Sequence, residues 1–305
     1  MSSPFTGLIA APFTAFDARG AVNRAAIVEQ AAVLRESNVR GAFVCGTTGE
    51  GLSLTTAERQ TVAEEWVRVA GDKLKVIVHA GHASVAEAAN LTAHAAAIGA
   101  AAVAVTAPFY FRPGSVTELA TFLAEVAAAA PKLPFYYYDI PSTTGVNLPA
   151  ADVLRRAAKV IPNLAGVKFS NPDLLTLQEC VQLDGGRFDV LFGVDEYLLA
   201  AVSLGATGAV GSTYNYAAPV YHRMLAALRE GDLEAACRHQ YGSAQLVRAL
   251  IDFGGLRAGK AIMKMLGVDC GPVRSPLRPM TDDEEVALYE RLRPLDIFAR
   301  PLRRP

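Results

Sequence analysis

Leu164-Ala165-Gly166-Val167-Lys168-Phe169-Ser170 is a short apolar run with one cationic side chain inside it. A helix-like stretch precedes it at 150–159 and another follows at 172–183. Strands that read as near-continuous apolar runs, without alternation, belong to parallel sheets covered on both faces. The same reading recurs outward in both directions. Runs rich in β-branched and aromatic residues stand at 7–16, 41–46, 75–81, 101–109, 134–140, 188–193 and 206–212. Segments rich in Ala, Leu, Glu and Arg separate them at 24–37, 55–70, 84–98, 116–130, 196–204 and 216–230. Thr55-Thr56-Ala57-Glu58 has the capping-box pattern, and Ser84 precedes Val85-Ala86-Glu87 as a helix start. Gly71, Gly99, Gly205 and Gly231 close other segments.

Strand–helix units of about 25–30 residues, repeated through residues 1–230, predict an α/β fold, a (β/α)8 TIM barrel. An open doubly wound sheet is the alternative. It would show a Gly-rich phosphate turn after the first strand, where this chain has Ala11-Pro12-Phe13-Thr14. After Gly231 the strand signal stops. Residues 231–305 read as a small C-terminal extension of three helices, at 232–253, 257–266 and 282–292, with a tail at 301–305 expected to fray.

Composition narrows the functions. Of 305 residues 51% are hydrophobic, and the formal net charge is −1. Such a chain can bury a large core, and it has no electrostatic reason to coat nucleic acid or an anionic membrane. No apolar stretch reaches the roughly 20 residues of a membrane span, and Met1-Ser2-Ser3-Pro4-Phe5 does not read as a secretory signal. Cys45, Cys180, Cys237 and Cys270 are far apart with no CxxC pair, which fits a reduced, cytoplasmic compartment.

In a barrel of this kind the chemistry sits at the C-terminal ends of the strands. Lys168 is there. Burial lowers a lysine's pKa and leaves a neutral amine able to attack a carbonyl, although snorkelling or a buried ion pair would also place a lysine at that position. Gly46-Thr47-Thr48-Gly49-Glu50 offers hydroxyls and successive N–H groups suited to a carboxylate; it is also an ordinary βα turn with a Thr cap. Strand alternation puts Tyr136 and Tyr138 on one face and Tyr137 on the other. Tyr138 could carry protons near an iminium, or simply pack the core. Asp195 and Glu196 could hold a polyol, or be stabilised by a helix N-terminus. Two patterns are set aside. Gly254-Gly255-Leu256-Arg257-Ala258-Gly259-Lys260 fits a phosphate loop but is followed by Ala261 and preceded by no strand. His79, His82 and His94 read as structural or solvated side chains, so no metal is expected.

These segments, with Ala107-Pro108-Phe109-Tyr110, Tyr138-Asp139-Ile140-Pro141, Thr144-Gly145 and Gly193-Val194-Asp195-Glu196, run in order along nearly the whole chain. Together they resemble the dihydrodipicolinate synthase / N-acetylneuraminate lyase family of class I aldolases. Within it the closest likeness is to the lyase branch, through 192–199 and 205–215. The synthases usually carry an arginine before the Thr-Gly of the fifth strand's motif; Thr143 stands there, which argues against that branch. The lyases usually have Leu at that place, and Ala where Ser142 stands. The resemblance implies a Schiff base on Lys168 and proton transfer by Tyr138, supported by Tyr110 from a neighbouring subunit. It implies carboxylate binding by Thr47 and Thr48, and polyol contacts from Ser170, Gly193, Asp195, Glu196 and Ser212. It implies no cofactor, a small 2-keto acid substrate cleaved to pyruvate and N-acetylmannosamine, and a homotetramer. Rival expectations are another 2-keto acid, such as 2-keto-3-deoxygluconate or 4-hydroxy-2-oxoglutarate, the synthase activity, and a non-catalytic pyruvate- or sugar-binding protein on the same scaffold.

Overall fold

In the computed structural model, which describes residues 5–305, the apolar runs become eight parallel strands closed into a barrel in sequence order. They are β1 (Gly7–Ala10), β2 (Gly41–Val44), β3 (Lys75–His79), β4 (Ala102–Thr106), β5 (Phe135–Asp139), β6 (Leu164–Phe169), β7 (Asp189–Phe192) and β8 (Gly208–Gly211). The last strand pairs back onto the first, with Leu8 opposite Ala209 and Ala10 opposite Gly211. The expected barrel is therefore present, and the open sheet is excluded.

The helices around it are α1 (Arg24–Glu36), α2 (Thr56–Ala70), α3 (Val85–Ala97), α4 (Val116–Ala127), α5 (Pro141–Thr144), α6 (Ala150–Ala157), α7 (Leu174–Gln182), α8 (Leu198–Ser203) and α9 (Tyr214–Arg229). Local chemistry starts several of them as read. Thr55 and Glu58 close a full capping box on α2, and Ser84 caps α3. The one-turn α5 is absent from the sequence reading. Pro141 opens it at the first turn, where a missing N–H costs nothing, and Gly145 ends it at φ 66°.

Two packing layers explain the strand composition. Outward residues such as Val103 and Val105 meet the helices, while inward ones fill the lumen. The lumen takes large rings from β2 and β5 (Phe43, Tyr136, Tyr138) because β4 offers only Ala102 and Ala104 opposite them. At the N-terminal end Tyr136 donates to Asp189 Oδ2 at 2.6 Å, so this inward tyrosine belongs to the floor and not to the mouth.

The first run is shorter than it reads. β1 ends at Ala10, because Pro12 has no N–H to continue a ladder. The chain then bends across the barrel mouth. Thr14 Oγ1 donates to Gly49 O at 2.6 Å, and Phe16 bridges Val22.

Three helices follow the barrel strands as expected: α10 (Leu233–Asp252), α11 (Leu256–Met265) and α12 (Asp282–Leu292). Gln240 on α10 accepts from Leu199 N at 2.7 Å and donates to Asp195 O at 3.3 Å, which ties the extension to the loop after β7. The approach to the tail is fixed, with Ile297 buried and Ala299 N donating to Tyr216 O at 2.7 Å, and within 301–305 Arg303 N donates to Met265 O at 2.8 Å, so the tail is held at one point where fraying was expected. Backbone partners that a sequence cannot display hold it down. Among the described residues, no helix is long and apolar enough to cross a membrane.

Candidate active site

A cavity of about 730 Å³ opens at the C-terminal ends of the strands, and most of the residues singled out from sequence line it. Thr47, Thr48, Tyr138, Lys168, Ser170, Gly193, Asp195, Glu196 and Ser212 all border it. Tyr110 does not. It stands past the end of β4, 77% exposed, its ring edge-on to Phe111 with centroids 5.0 Å apart.

Lys168 projects from β6 into the lumen because inward and outward residues alternate along the strand. It is 4% exposed. Its Nζ lies 3.8 Å from the centroid of the Phe43 ring and 4.0 Å from that of Tyr138. Burial pushes its pKa below the usual lysine value, against the smaller opposing pull of Tyr138 and Asp195.

A second buried lysine supplies the comparison. Lys260, on α11, is also 4% exposed. Its ammonium faces Glu50 Oε1 at 2.7 Å and donates to Pro272 O at 2.7 Å. Lys168 forms no ion pair among the described residues. Burial lowers the pKa of both amines, but at Lys260 the Glu50 carboxylate opposes that shift from 2.7 Å, while Lys168 has aromatic faces and an open cavity. The would-be phosphate loop is thus the start of a helix whose lysine braces Glu50.

That ion pair positions the turn after β2. Glu50 sits at φ 52°, and its Oε2 accepts from Arg274 N at 2.7 Å. Cys45, at φ 57°, begins the turn. The N–H groups of Thr47 and Thr48 have no acceptor among the described residues, so they stay available to an anion such as a carboxylate. Lys260→Met is expected to lower stability by about 3–5 kcal/mol, because it leaves the Glu50 carboxylate buried without its cation. Denaturant melts read this directly. The double variant Lys260→Met/Glu50→Gln should regain part of the loss; additive losses would mean that the two side chains are not coupled.

Tyr138 OH lies 3.2 Å from Thr47 Oγ1, which links the phenol to the same turn. Tyr137, on the other face, donates to Asp139 Oδ1 at 3.1 Å and serves the packing outside the barrel. Ser170 lies directly under Gly193, where an added Cβ would come within 2.1 Å of its hydroxyl.

The acidic pair after β7 divides. Asp195 is buried, and its Oδ2 accepts from Thr213 N at 3.0 Å and Thr213 Oγ1 at 2.6 Å. It fills the space over Gly211. Its bonds inside the protein suit it to holding the β7 and β8 loops together. Glu196 is half-buried with no ion pair among the described residues, its pKa raised by burial, and it faces the cavity.

The sequence reading passed over Phe43, which lies under the amine, and Arg274, which borders the cavity while pairing with Glu58; it took His79, which lines the wall, as structural or solvated. The histidines do not gather. His79 Nδ1 lies 2.9 Å from Cys45 O, His82 Nδ1 accepts from Ser84 N at 2.9 Å, and His94 pairs with Glu64 at 3.0 Å. Among the described residues, no cluster of three His, Cys, Asp or Glu forms.

Fold and site together place the chain among the β/α barrels built around a buried amine at the strand ends. Residues 4–294 match the dihydrodipicolinate synthetase family, and the chain belongs to that family. It is 44% identical over 300 residues to the N-acetylneuraminate lyase of Rattus norvegicus, covering 97% of this chain and 94% of the relative. The solved N-acetylneuraminate lyase (sialic acid aldolase) of Aliivibrio salmonicida superposes with a TM-score of 0.94 at 42% identity, covering 97% of this chain and 98% of that one. A catalytic lysine mutant of the Ruminococcus gnavus sialic acid aldolase superposes with a TM-score of 0.89 at 27% identity, covering 94% of each chain.

Proposed function

We propose that the protein is a Schiff-base aldolase, a carbon–carbon lyase that cleaves N-acetylneuraminate reversibly to pyruvate and N-acetylmannosamine. The observation that carries this is Lys168: a buried amine without an ion pair, set beside a phenol at the mouth of the barrel. The relatives named above support the substrate, and the lysine named for the Ruminococcus gnavus aldolase supports the chemistry.

The neutral Lys168 amine attacks the C2 ketone of the open-chain substrate, and loss of water, with one proton taken up from solvent, leaves a protonated imine. Thr47 and Thr48 hold the carboxylate through their hydroxyls and free N–H groups. The Tyr138 hydroxyl takes the C4 hydroxyl proton as its own proton leaves to solvent through the exposed Thr47, whose Oγ1 lies 3.2 Å away. The C3–C4 bonding pair then flows into the iminium and leaves an enamine, while C4 departs as the aldehyde of N-acetylmannosamine. Protonation at C3 and hydrolysis release pyruvate and restore the amine. The lysine is itself the electron sink, so no metal or organic cofactor enters the sequence.

Glu196, Ser170, Ser212 and the backbone at Gly193 take the polyol tail, with Asp195 fixing the loop that presents Glu196. Thr143, in α5 at the cavity edge, brings no positive charge for a second carboxylate, which favours a sugar over a dicarboxylic product. We take the barrel as residues 1–230 and the helices of 231–305 as an extension that completes the cavity wall. We place the enzyme in the cytoplasm as a homotetramer in which the exposed Tyr110 reaches a neighbouring subunit's proton network.

The test is pyruvate release from N-acetylneuraminate by the purified protein, beside 2-keto-3-deoxygluconate and 4-hydroxy-2-oxoglutarate. The sialic acid should be turned over fastest, with kcat/KM at least about ten-fold above the others. A higher value for either rival would move the substrate assignment, and no release from any of them would remove the aldolase reading.

A further inference from the structure

His79 is nine-tenths and more buried at the C-terminal end of β3, and the proposed chemistry gives it no step. Its surroundings are specific. Nδ1 lies 2.9 Å from Cys45 O, and a carbonyl can only accept, so Nδ1 carries the proton. Nε2, 3.3 Å from Thr106 Oγ1, therefore accepts from that hydroxyl. Burial, then Arg59 and Lys168 nearby, hold the ring neutral, with its pKa pushed down to about 3. The ring stands edge-to-face against Tyr138, with centroids 5.6 Å apart at 88°. Behind it, Arg59 donates to the backbone carbonyls of His79 at 2.7 Å and Gly81 at 3.0 Å and fixes this end of the strand.

One rigid side chain thus touches both supports of the Thr47–Tyr138 contact. Its N–H holds the carbonyl of Cys45, the left-handed residue that launches the turn carrying Thr47. Its ring, perpendicular to that of Tyr138, packs against the phenol. On the aldolase chemistry proposed above, we infer that His79 is a positioning residue with two separable duties: its Nδ1–H sets the carboxylate-binding turn, and its ring sets the Tyr138 phenol for proton transfer.

Two variants separate the duties. His79→Asn keeps a donor at the place of Nδ1 and removes the ring, whereas His79→Phe keeps a ring and removes the donor. In the purified enzyme with N-acetylneuraminate, the Asn variant should hold KM within about two-fold and lose about ten-fold in kcat, with borohydride trapping of pyruvate undiminished. The Phe variant should raise KM about ten-fold with kcat within about two-fold. Thermal melts confirm that each variant is folded. Parallel changes of kcat and KM in both variants, the reverse assignment, or no change in either would overturn the inference while leaving an active parent enzyme as an aldolase. A parent that neither cleaves the sugar nor traps pyruvate would overturn the aldolase reading, and this inference with it.

Discussion

Lys168→Ala is expected to reduce turnover of the sugar acid by at least about 10⁴-fold, to the floor of a pyruvate-release assay. No other described amine can stand in. Lys260 is locked against Glu50 and Pro272 O, and Lys75 stands at the opposite end of the barrel, at the first position of β3. The fold should survive, because Lys168 holds no ion pair whose loss would strand a buried charge. Lys168→Met, which fills more of the vacated space, guards against a collapsed lumen. Both variants should elute and melt like the parent, and neither should gain mass when pyruvate and borohydride are added together. Residual activity above about 1% of the parent, or a trapped adduct in the variants, would place the covalent chemistry elsewhere. In the parent, trapping should speed up as pH rises, because only the unprotonated amine attacks. Burial lowers this lysine's pKa, so the rise should level off below 10.5, the ordinary lysine value. A midpoint at or above 10.5 would contradict the burial seen here.

Tyr138→Phe should lower kcat by about 10²–10³-fold while leaving pyruvate binding nearly intact. The substitution removes one oxygen and keeps the ring packed against Phe43, His79 and the Lys168 side chain. Imine formation with pyruvate should therefore continue, and borohydride should still trap the adduct. The loss belongs to proton transfer at C4. If kcat is unchanged, another group moves that proton. If trapping vanishes as well, Tyr138 acts mainly by orienting Lys168.

Much of this site is legible in the sequence for one physical reason. Strands buried on both faces stand out as apolar runs, and a charged or hydroxylated residue at the end of such a run is conspicuous. Lys168, Tyr138 and the turn at 46–50 were found in that way. Residues whose meaning depends on distant partners were not. Lys260 carries no visible sign that it will meet Glu50. The direction taken by Asp195, toward Thr213, depends on the empty space over Gly211. His79 was set aside with two other histidines, although its alternation with Ile77 along β3 already points it into the lumen. The tail at 301–305 reads as frayed because the acceptor for Arg303 N, Met265 O, lies on a helix far from it in the chain.

The pairing of the eighth strand back onto the first leaves the sheet without a free rim. A rim of unsatisfied amides is what lets folded chains add strands to one another and grow into fibres. Among the described residues, the native barrel offers no such template. Growth by strand addition must then wait for the ring of strands to open, and its rate should follow global unfolding.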